Sequence, residues 1–468
     1  MALSIVLLLF EVYLFLDILT SNNIILNLGF KFLNFSIDAP LVWLNIKYLF
    51  ILFSLISKFI YLHLILDTFL NSDSIKKIKN PNLDSNQLKI VLGKNSESNE
   101  PIVLPEKGLY QNILITGAIG SGKTSSAMYP ITQQLISYKA NSAHEKLGML
   151  ILDVKGNYYN QVLQYAKLYG REKDVITIEI SGKYTYNPLD NPSLKPSVIA
   201  NRLKTILLLF SPNNTEDYWL DKAETAMTEA IKLCRLFNNN YVTFQEIHNL
   251  ITNFDYYSDK VSILRQHFLE NKLNKLQIYD LLSALKFFEK EFFSLDNRTS
   301  SILKSEITRI TNCFISDADI SSTFCPLKKN NNFLGFNNVI NSGKIVVLNM
   351  NINEYRNLSK IIATYLKLDF QTEVLRQLSN ISNSIRPVAF ISDEYSEYVS
   401  ATDANFFSQS RESKCINVVA TQSYTSLLNA LNNKYSVEVI IQNLVNKLWF
   451  RSDDTFTIED AQKQLRKN

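Results

Sequence analysis

Apolar positions along this chain fall into three textures. Residues 2–20 (ALSIVLLLFEVYLFLDILT) and 41–70 are almost continuously apolar, the second densest from Tyr48 to Leu66. An apolar helix of about 20 residues spans the ~30 Å hydrocarbon layer of a bilayer, so two transmembrane helices are expected, at about 2–20 and 46–68. A cleavable signal peptide is a rival for the first run. That run lacks a basic start and a small-residue cleavage site, and Glu11 interrupts it. A buried soluble hairpin is the other rival.

After a polar linker over 71–100, the second texture begins. Short apolar runs at Lys89–Leu92, Asn112–Thr116 (NILIT), the four residues before Asp153 within Gly148–Asn157 (GMLILDVKGN), and Val175–Ile180 (VITIEI) alternate with helix-like stretches. Strands alternating with helices predict a parallel α/β sheet. From about Ser197 to Asn330 the pattern changes to helical spacing. Trp219, Ala223, Ala226, Ala230 and Leu233 share one face; Leu281, Leu285, Phe288 and Phe292 share another. This predicts an inserted, mostly helical segment. Alternation resumes with Ile345–Met350, a long helix from about Asn357 to Ser379, then Val388–Ile391, Ile416–Thr421 and Lys447–Arg451.

The candidate chemistry sits at the ends of these strands. Gly117, Ala118, Ile119, Gly120, Ser121, Gly122, Lys123 and Thr124 read GAIGSGKT, between a strand and a helix expected from Ser125 to Tyr138. This is the P-loop pattern in its strand–loop–helix setting. Glycines let successive backbone N–H groups converge on phosphate oxygens, and the helix N-terminus adds its positive dipole end. Lys123 would reach the β- and γ-phosphates and the Thr124 hydroxyl would ligate Mg²⁺. The run Val388–Ile391 ends in Ser392-Asp393-Glu394, a Walker B pattern. Asp393 would hold the metal, and Glu394 would act as general base toward water.

Three further residues carry open readings. Asp153 ends the strand at 148–152; it either faces the nucleotide at a carboxyl end or caps the next helix. Gln422, at the tip of the run 416–421, can sense a γ-phosphate through its amide. Arg411 precedes that strand and serves either as an arginine finger or as a surface partner of Glu412. Lys286, Arg298, Lys304 and Arg309 in the helical segment form either a phosphate-binding face or an ordinary solvated surface.

Composition adds little. Lys+Arg 48 against Asp+Glu 44 gives +4, too mild to imply nucleic acid without a local patch. A hydrophobic content of 46% excludes a disordered chain. Cys234, Cys313, Cys325 and Cys415 have no metal or redox spacing and read as reduced core residues. Lys76, Lys77 and Lys79 follow the second apolar run, while the loop between the runs carries Lys31, which places the remaining chain in the cytoplasm. Glu11 and Lys58 fall near the middle of the two runs; they either pair in the membrane or snorkel to its surface.

Taken in order, these motifs resemble the coupling-protein ATPases of conjugation and type IV secretion. The resemblance covers nearly the whole chain. It runs through the apolar spans, the P-loop with Pro130, Asp153-Val-Lys155-Gly156, Asn187-Pro188-Leu189-Asp190, Tyr218-Trp219 with Ala223, Asp393-Glu394, Arg411, Gln422-Ser423 and Asp453-Asp454-Thr455. Asn157 departs from it, standing where an acid is frequent after Lys-Gly.

The resemblance implies an α/β fold: a RecA-like P-loop NTPase domain with an inserted all-α domain and two N-terminal transmembrane helices. The expected divisions are an anchor over 1–72, the nucleotide-binding domain over 73–195 and 335–468, and the helical insertion over 196–334. The implied catalytic set is Lys123, Glu394, Arg411 (acting in trans) and Gln422. ATP would bind at residues 117–125, Ser125 included, with Asp153, and Mg²⁺ at Thr124 and Asp393. Implied partners are a single-stranded DNA–relaxase complex, type IV secretion channel components and identical subunits in a hexamer, at the bacterial inner membrane. The same motor acting on protein effectors, or a nucleotide-switched membrane receptor or scaffold, are the alternatives.

Overall fold

The computed structural model describes Leu52 and residues 87–153, 155–210, 217–379 and 385–466. Leu52 apart, the expected membrane spans lie outside them, as do Lys31, Lys76, Lys77, Lys79 and the Glu11–Lys58 pair. Among the described residues no helix is long and apolar enough to cross a membrane.

A seven-stranded, all-parallel sheet forms the frame. Its strands are β3 (Ile113–Thr116), β4 (Gly148–Leu152), β5 (Val175–Ile178), β6 (Ile345–Leu348), β7 (Val388–Ser392), β8 (Cys415–Thr421) and β9 (Asn446–Trp449). They run in the order β5-β6-β4-β7-β8-β3-β9. A separate antiparallel hairpin, β1 (Lys89–Lys94) and β2 (Pro101–Pro105), precedes it. A parallel sheet covered on both faces needs apolar residues on both sides of each strand, which is why its strands read as unbroken apolar runs. Met149 and Ile151 of β4 face one layer, Leu150 and Leu152 the other; Ala389 and Ile391 of β7 oppose Val388 and Phe390 in the same way.

The first layer holds α1 (Glu106–Leu109), α2 (Tyr129–Ser137) and α3 (Tyr158–Leu168), whose Met128, Ile131, Leu135, Tyr158 and Val162 environment is dry. The β1 strand is tied to this layer by Gln134, whose amide accepts from Val91 N–H (2.9 Å) and donates to Val91 C=O (3.0 Å).

The other face packs against the helical segment: α4 (Pro196–Phe210), α5 (Asp217–Phe237), α6 (Phe244–Thr252), α7 (Phe254–Leu269), α8 (Lys275–Phe287), α9 (Asn297–Ile315) and α10 (Ala318–Phe324). Of the faces read from the sequence, Ala223, Ala226, Ala230, Leu233, Leu281, Phe288 and Phe292 are buried there, and Trp219 and Leu285 are half-buried. α11 (Gly335–Ser342) and α12 (Ile352–Arg376) lead back to the sheet. α12 is broken at Arg356 (φ 43°, ψ −120°), so regular helix starts where the sequence placed it. One apolar cluster runs without interruption from the sheet face through α12 into the helical segment; Phe244 stacks on Phe314 (4.0 Å between ring centres) and meets Tyr365 of α12 edge-on. A buried polar tie joins the same elements. Asp369 of α12 binds Arg202 of α4 and accepts from the Tyr186 hydroxyl (2.5 Å).

The last elements are α13 (Asp403–Gln409), α14 (Tyr424–Leu431), α15 (Lys434–Asn443) and α16 (Thr455–Leu465). Between α12 and α13 lies a fully buried ion pair, Lys367–Asp403 (2.6 Å). The Lys367 amine also donates to Tyr398 C=O (2.7 Å) and Ser400 Oγ (3.0 Å); Asp403 also accepts from Tyr395 OH (2.6 Å), Gln371 (3.0 Å) and Ser400 N–H (3.0 Å). Burial alone depresses the Lys367 pKa, and Asp403 opposes it. Removing one partner strands a buried charge and costs about 3–5 kcal/mol, whereas replacing both by apolar groups is often neutral. Lys367→Met is therefore expected to destabilise the protein by about 3–5 kcal/mol in urea unfolding, and the double variant Lys367→Met/Asp403→Leu to recover most of that loss.

Candidate functional site

The strand order explains what meets at the site. β7 and β8 arrive late in sequence yet insert between β3 and β4. β8 thus separates the strand that ends in the glycine loop from the strand that ends in Asp393. All seven carboxyl ends share one edge, where ligands of open α/β sheets gather.

Residues 117–122 turn back on themselves after β3. Gly120 (φ 73°) and Gly122 (φ 91°) sit in the left-handed region, which glycine enters without penalty. A Cβ on Gly117 would lie 2.5 Å from Phe450 Cβ and 2.7 Å from Ser121 Oγ. The loop is fastened to the segment after β9: Ala118 N–H donates to Arg451 C=O and Phe450 N–H to Thr116 C=O, both at 2.7 Å. Lys123 is buried and donates to the carbonyls of Gly117 and Ala118 across the loop. Burial lowers its pKa, against the pull of the Glu394 and Asp393 carboxylates.

The expected continuous helix over 125–138 starts instead with a wide π turn, Lys123–Met128, before α2. Pro130 has no N–H to return to Ser126, while Tyr129 N–H reaches Thr124 C=O five residues back. π turns favour functional positions; this one carries Thr124 toward the sheet. The Thr124 hydroxyl donates to Asp393 Oδ2 at 2.9 Å, joining the loop to the Walker B strand over the end of β8. Asp393 is almost fully buried, and burial raises its pKa, the Thr124 hydrogen bond opposing.

Glu394 follows in the left-handed region (φ 47°, ψ 46°), an uncommon and strained conformation for a non-glycine residue. Its carboxylate is held from two sides. Lys155 pairs with Oε1, and Gln422 Nε2 donates to Oε2 at 3.3 Å. Lys155 thus has a contact that its place in the sequence alone did not reveal: it lies three residues beyond β4, and only the β4–β7 pairing brings it to Glu394. Tyr398 supports the same turn. Its hydroxyl donates to Asp393 C=O (2.7 Å) and exchanges a hydrogen bond with Ser392 Oγ (2.9 Å).

Asp153 makes contacts ahead of α3. Its oxygens accept from the backbone N–H groups of Lys155 (2.9 Å), Asn157 (3.2 Å) and Tyr158 (3.1 Å). That commits the carboxylate to starting α3; it acts on the site through its charge, which adds to the raised pKa of Asp393. Gly156 (φ 74°) completes this turn against Asn351. Arg411 is not brought to the cluster. It is exposed at the turn between α13 and β8, at the amino end of the strand, with no ion pair among the described residues, Glu412 included. Ile119 stands 79% exposed at the tip of the loop. Arg309 pairs with Glu306, and the Lys304 amine lies 5.9 Å over the Phe292 ring, so two members of the possible basic face have local partners.

The residues fit a magnesium–nucleoside triphosphate. The loop is a cradle that a Cβ would fill, Ser121 Oγ is buried within it without a hydrogen-bond partner among the described residues, and Thr124 and Asp393 form a hard oxygen pair.

No family model matches the chain, and no curated protein sequence matches it. Solved structures do. The unbound conjugative coupling protein TrwB, lacking its first 70 residues, superposes with a TM-score of 0.54 at 15% identity, over 82% of this chain and 77% of that one. TrwB with ADP and Mg²⁺ gives 0.50 at 14%, over 80% and 77%. VirB4 of Thermoanaerobacter pseudethanolicus gives 0.50 at 14%, over 81% and 88%. The chain shares its fold with these structures. At these identities the likeness extends to the architecture of the sheet and its helical layers.

Gly117 tests the cradle. Overpacking at a fixed backbone position costs about 1–3 kcal/mol, so Gly117→Ala is expected to weaken Mg·ATP binding about tenfold or more, read by titration calorimetry.

Proposed function

We propose that this chain is a membrane-anchored, ATP-hydrolysing coupling protein that receives a relaxase–DNA complex and drives DNA through a type IV secretion or conjugation channel. The observation that carries the reading is the contact between Thr124 and Asp393 at the mouth of the glycine loop, with Glu394 beside it. It is supported by the fold shared with TrwB, solved with ADP and Mg²⁺ and with an ATP analogue. The two apolar runs before residue 71 support the anchor.

Residues 117–125 hold the phosphates through backbone N–H groups, Lys123 neutralises their charge, and Thr124 and Asp393 hold Mg²⁺. Bound Mg²⁺ supplies charge stabilisation to the transferring phosphoryl group. Glu394 orients water and takes its proton. Lys155 and Gln422 fix the direction of that carboxylate, and Gln422 couples its position to β8. Arg411, remote from its own chain's cluster, completes the site of the neighbouring subunit in a ring, a role worth about 10³–10⁵ in rate where present. Translocation follows the phosphate backbone and does not read sequence.

The test is steady-state ATP hydrolysis by the full chain in detergent, with and without single-stranded DNA, over a salt series. A DNA motor is expected to show at least several-fold stimulation that falls steeply with salt, because phosphate contacts release counterions. Hydrolysis without stimulation favours the motor for protein effectors. Nucleotide binding without hydrolysis favours the receptor or scaffold.

A further inference from the structure

Arg411 stands on a turn that is fixed from beneath. α13 ends at Gln409, and residues 410–414 lead directly into β8. Two backbone hydrogen bonds close this turn, Lys414 N–H to Arg411 C=O and Cys415 N–H to Ser410 C=O, both at 3.1 Å. Lys414 takes a left-handed conformation (φ 51°). Ser410 and Ser413 are fully buried, while Arg411 and Glu412 between them are exposed.

The support comes from two buried asparagines at the amino ends of β3 and β8. Asparagine is a poor strand former and is costly to bury unless its amide is bonded. Asn417 of β8 gives one amide hydrogen to Asn112 Oδ1 (2.6 Å) and the other to Ser410 Oγ (2.9 Å). Asn112, immediately before β3, donates to the carbonyls of Phe407 (3.1 Å) and Asn443 (2.8 Å). Ser410 Oγ in turn donates to Phe407 C=O (3.4 Å). Holding β8 in register with β3 needs only the contact between the two asparagines. The bonds to Phe407 and Ser410 leave the sheet for the last turn of α13 and the residue before Arg411. At its other end α13 begins with Asp403, which accepts from the hydroxyl of Tyr395, the residue after Glu394. Helix and turn are thus fastened to the strand of the glycine loop at one end and to the Walker B turn at the other.

We infer that Ser410 and Asn417 are positioning residues for Arg411: the chain Asn112–Asn417–Ser410 sets, from the strand of the glycine loop, the stance of the arginine that acts on the neighbouring subunit's nucleotide. The inference rests on the role proposed for Arg411 above. An arginine that works across a subunit boundary needs a backbone that holds still, because a misplacement of ~1 Å at a reacting centre can cost about 100-fold in rate. The asparagines and Ser410 provide that hold without touching a ligand.

The experiment is a double-mutant cycle on the full chain in detergent. It reads kcat for ATP hydrolysis, Mg·ATP affinity by titration calorimetry, and urea unfolding. Ser410→Ala deletes one hydroxyl and leaves the Asn112–Asn417 contact in place; it is expected to lower kcat about tenfold with Mg·ATP affinity within about twofold of wild type. Asn417→Ala removes both bonds and is expected to lower kcat further, about 100-fold. In an Arg411→Ala background Ser410→Ala is expected to change kcat by less than about twofold, because residues acting through one group are not additive. A merely structural role would lower kcat by the same factor in both backgrounds. That result, or wild-type kcat in Ser410→Ala, overturns the inference. Where Asn417→Ala loses stability or Mg·ATP binding, Ser410→Ala alone decides. Wild-type kcat in Arg411→Ala overturns the trans-acting arginine itself, an outcome seen in that single variant and distinct from failure of its support.

Discussion

The site depends on one topological constraint: β8 must lie between β3 and β7. Each of those strands ends in half of a site, and each half is commonplace alone. With β8 as a spacer, the Thr124 hydroxyl and the Asp393 carboxylate meet at 2.9 Å, and Gln422, at the tip of the spacer, falls against Glu394. Moving β8 elsewhere in the sheet would leave every motif intact and the chemistry absent. The register is held by residues that see no ligand. Asn417 of β8 donates to Asn112 (2.6 Å) just before β3, and Asn112 in turn donates to the carbonyls of Phe407 and Asn443. These amides lie at the amino ends of β3 and β8, where they lock the strands that the apolar faces alone could let slide.

The strained turn after β7 has its own support. Glu394 occupies a left-handed conformation that costs about 1–3 kcal/mol and persists only where the surroundings over-determine it. Tyr395, the first residue of the short helix after that turn (Tyr395–Glu397), and Tyr398, just past its end, reach into the buried Lys367–Asp403 network and onto the Asp393 carbonyl. The network thus links a long helix on the far face of the sheet to the carboxylate at its edge. A buried charge pair is a poor source of stability compared with apolar packing; what it contributes here is a fixed geometry for Asp393 and Glu394.

Much of this was legible in the sequence. Parallel strands buried on both faces announce themselves as short apolar runs, so β3, β4, β6, β7 and β8 were readable to within a residue or two. The helical segment was equally plain in its spacing. Hidden features were those set by long-range pairing or by one missing donor. Lys155 meets Glu394 only because β4 lies beside β7. Pro130 sits one turn into an apparent helix, yet its missing N–H converts the preceding turn to a π turn. Asp153 left two readings because an acid at a strand end serves a ligand or a helix N-terminus equally well; in the fold it accepts from three backbone N–H groups. Arg411 precedes its strand and so lies at the amino end, opposite the cluster; strand order, which the sequence alone does not show, decides that separation.

The account centres on Glu394 as the group that activates water within a site whose binding parts are separate from it. The most direct measurement is single-turnover ATP hydrolysis alongside equilibrium Mg·ATP binding, for the wild type and Glu394→Gln. The glutamine retains the shape and the hydrogen bond to Gln422 but cannot take a proton. The account predicts binding within about twofold of wild type and hydrolysis slowed by about 10²–10⁴. Hydrolysis by Glu394→Gln at the wild-type rate would contradict it and remove Glu394 from the chemistry.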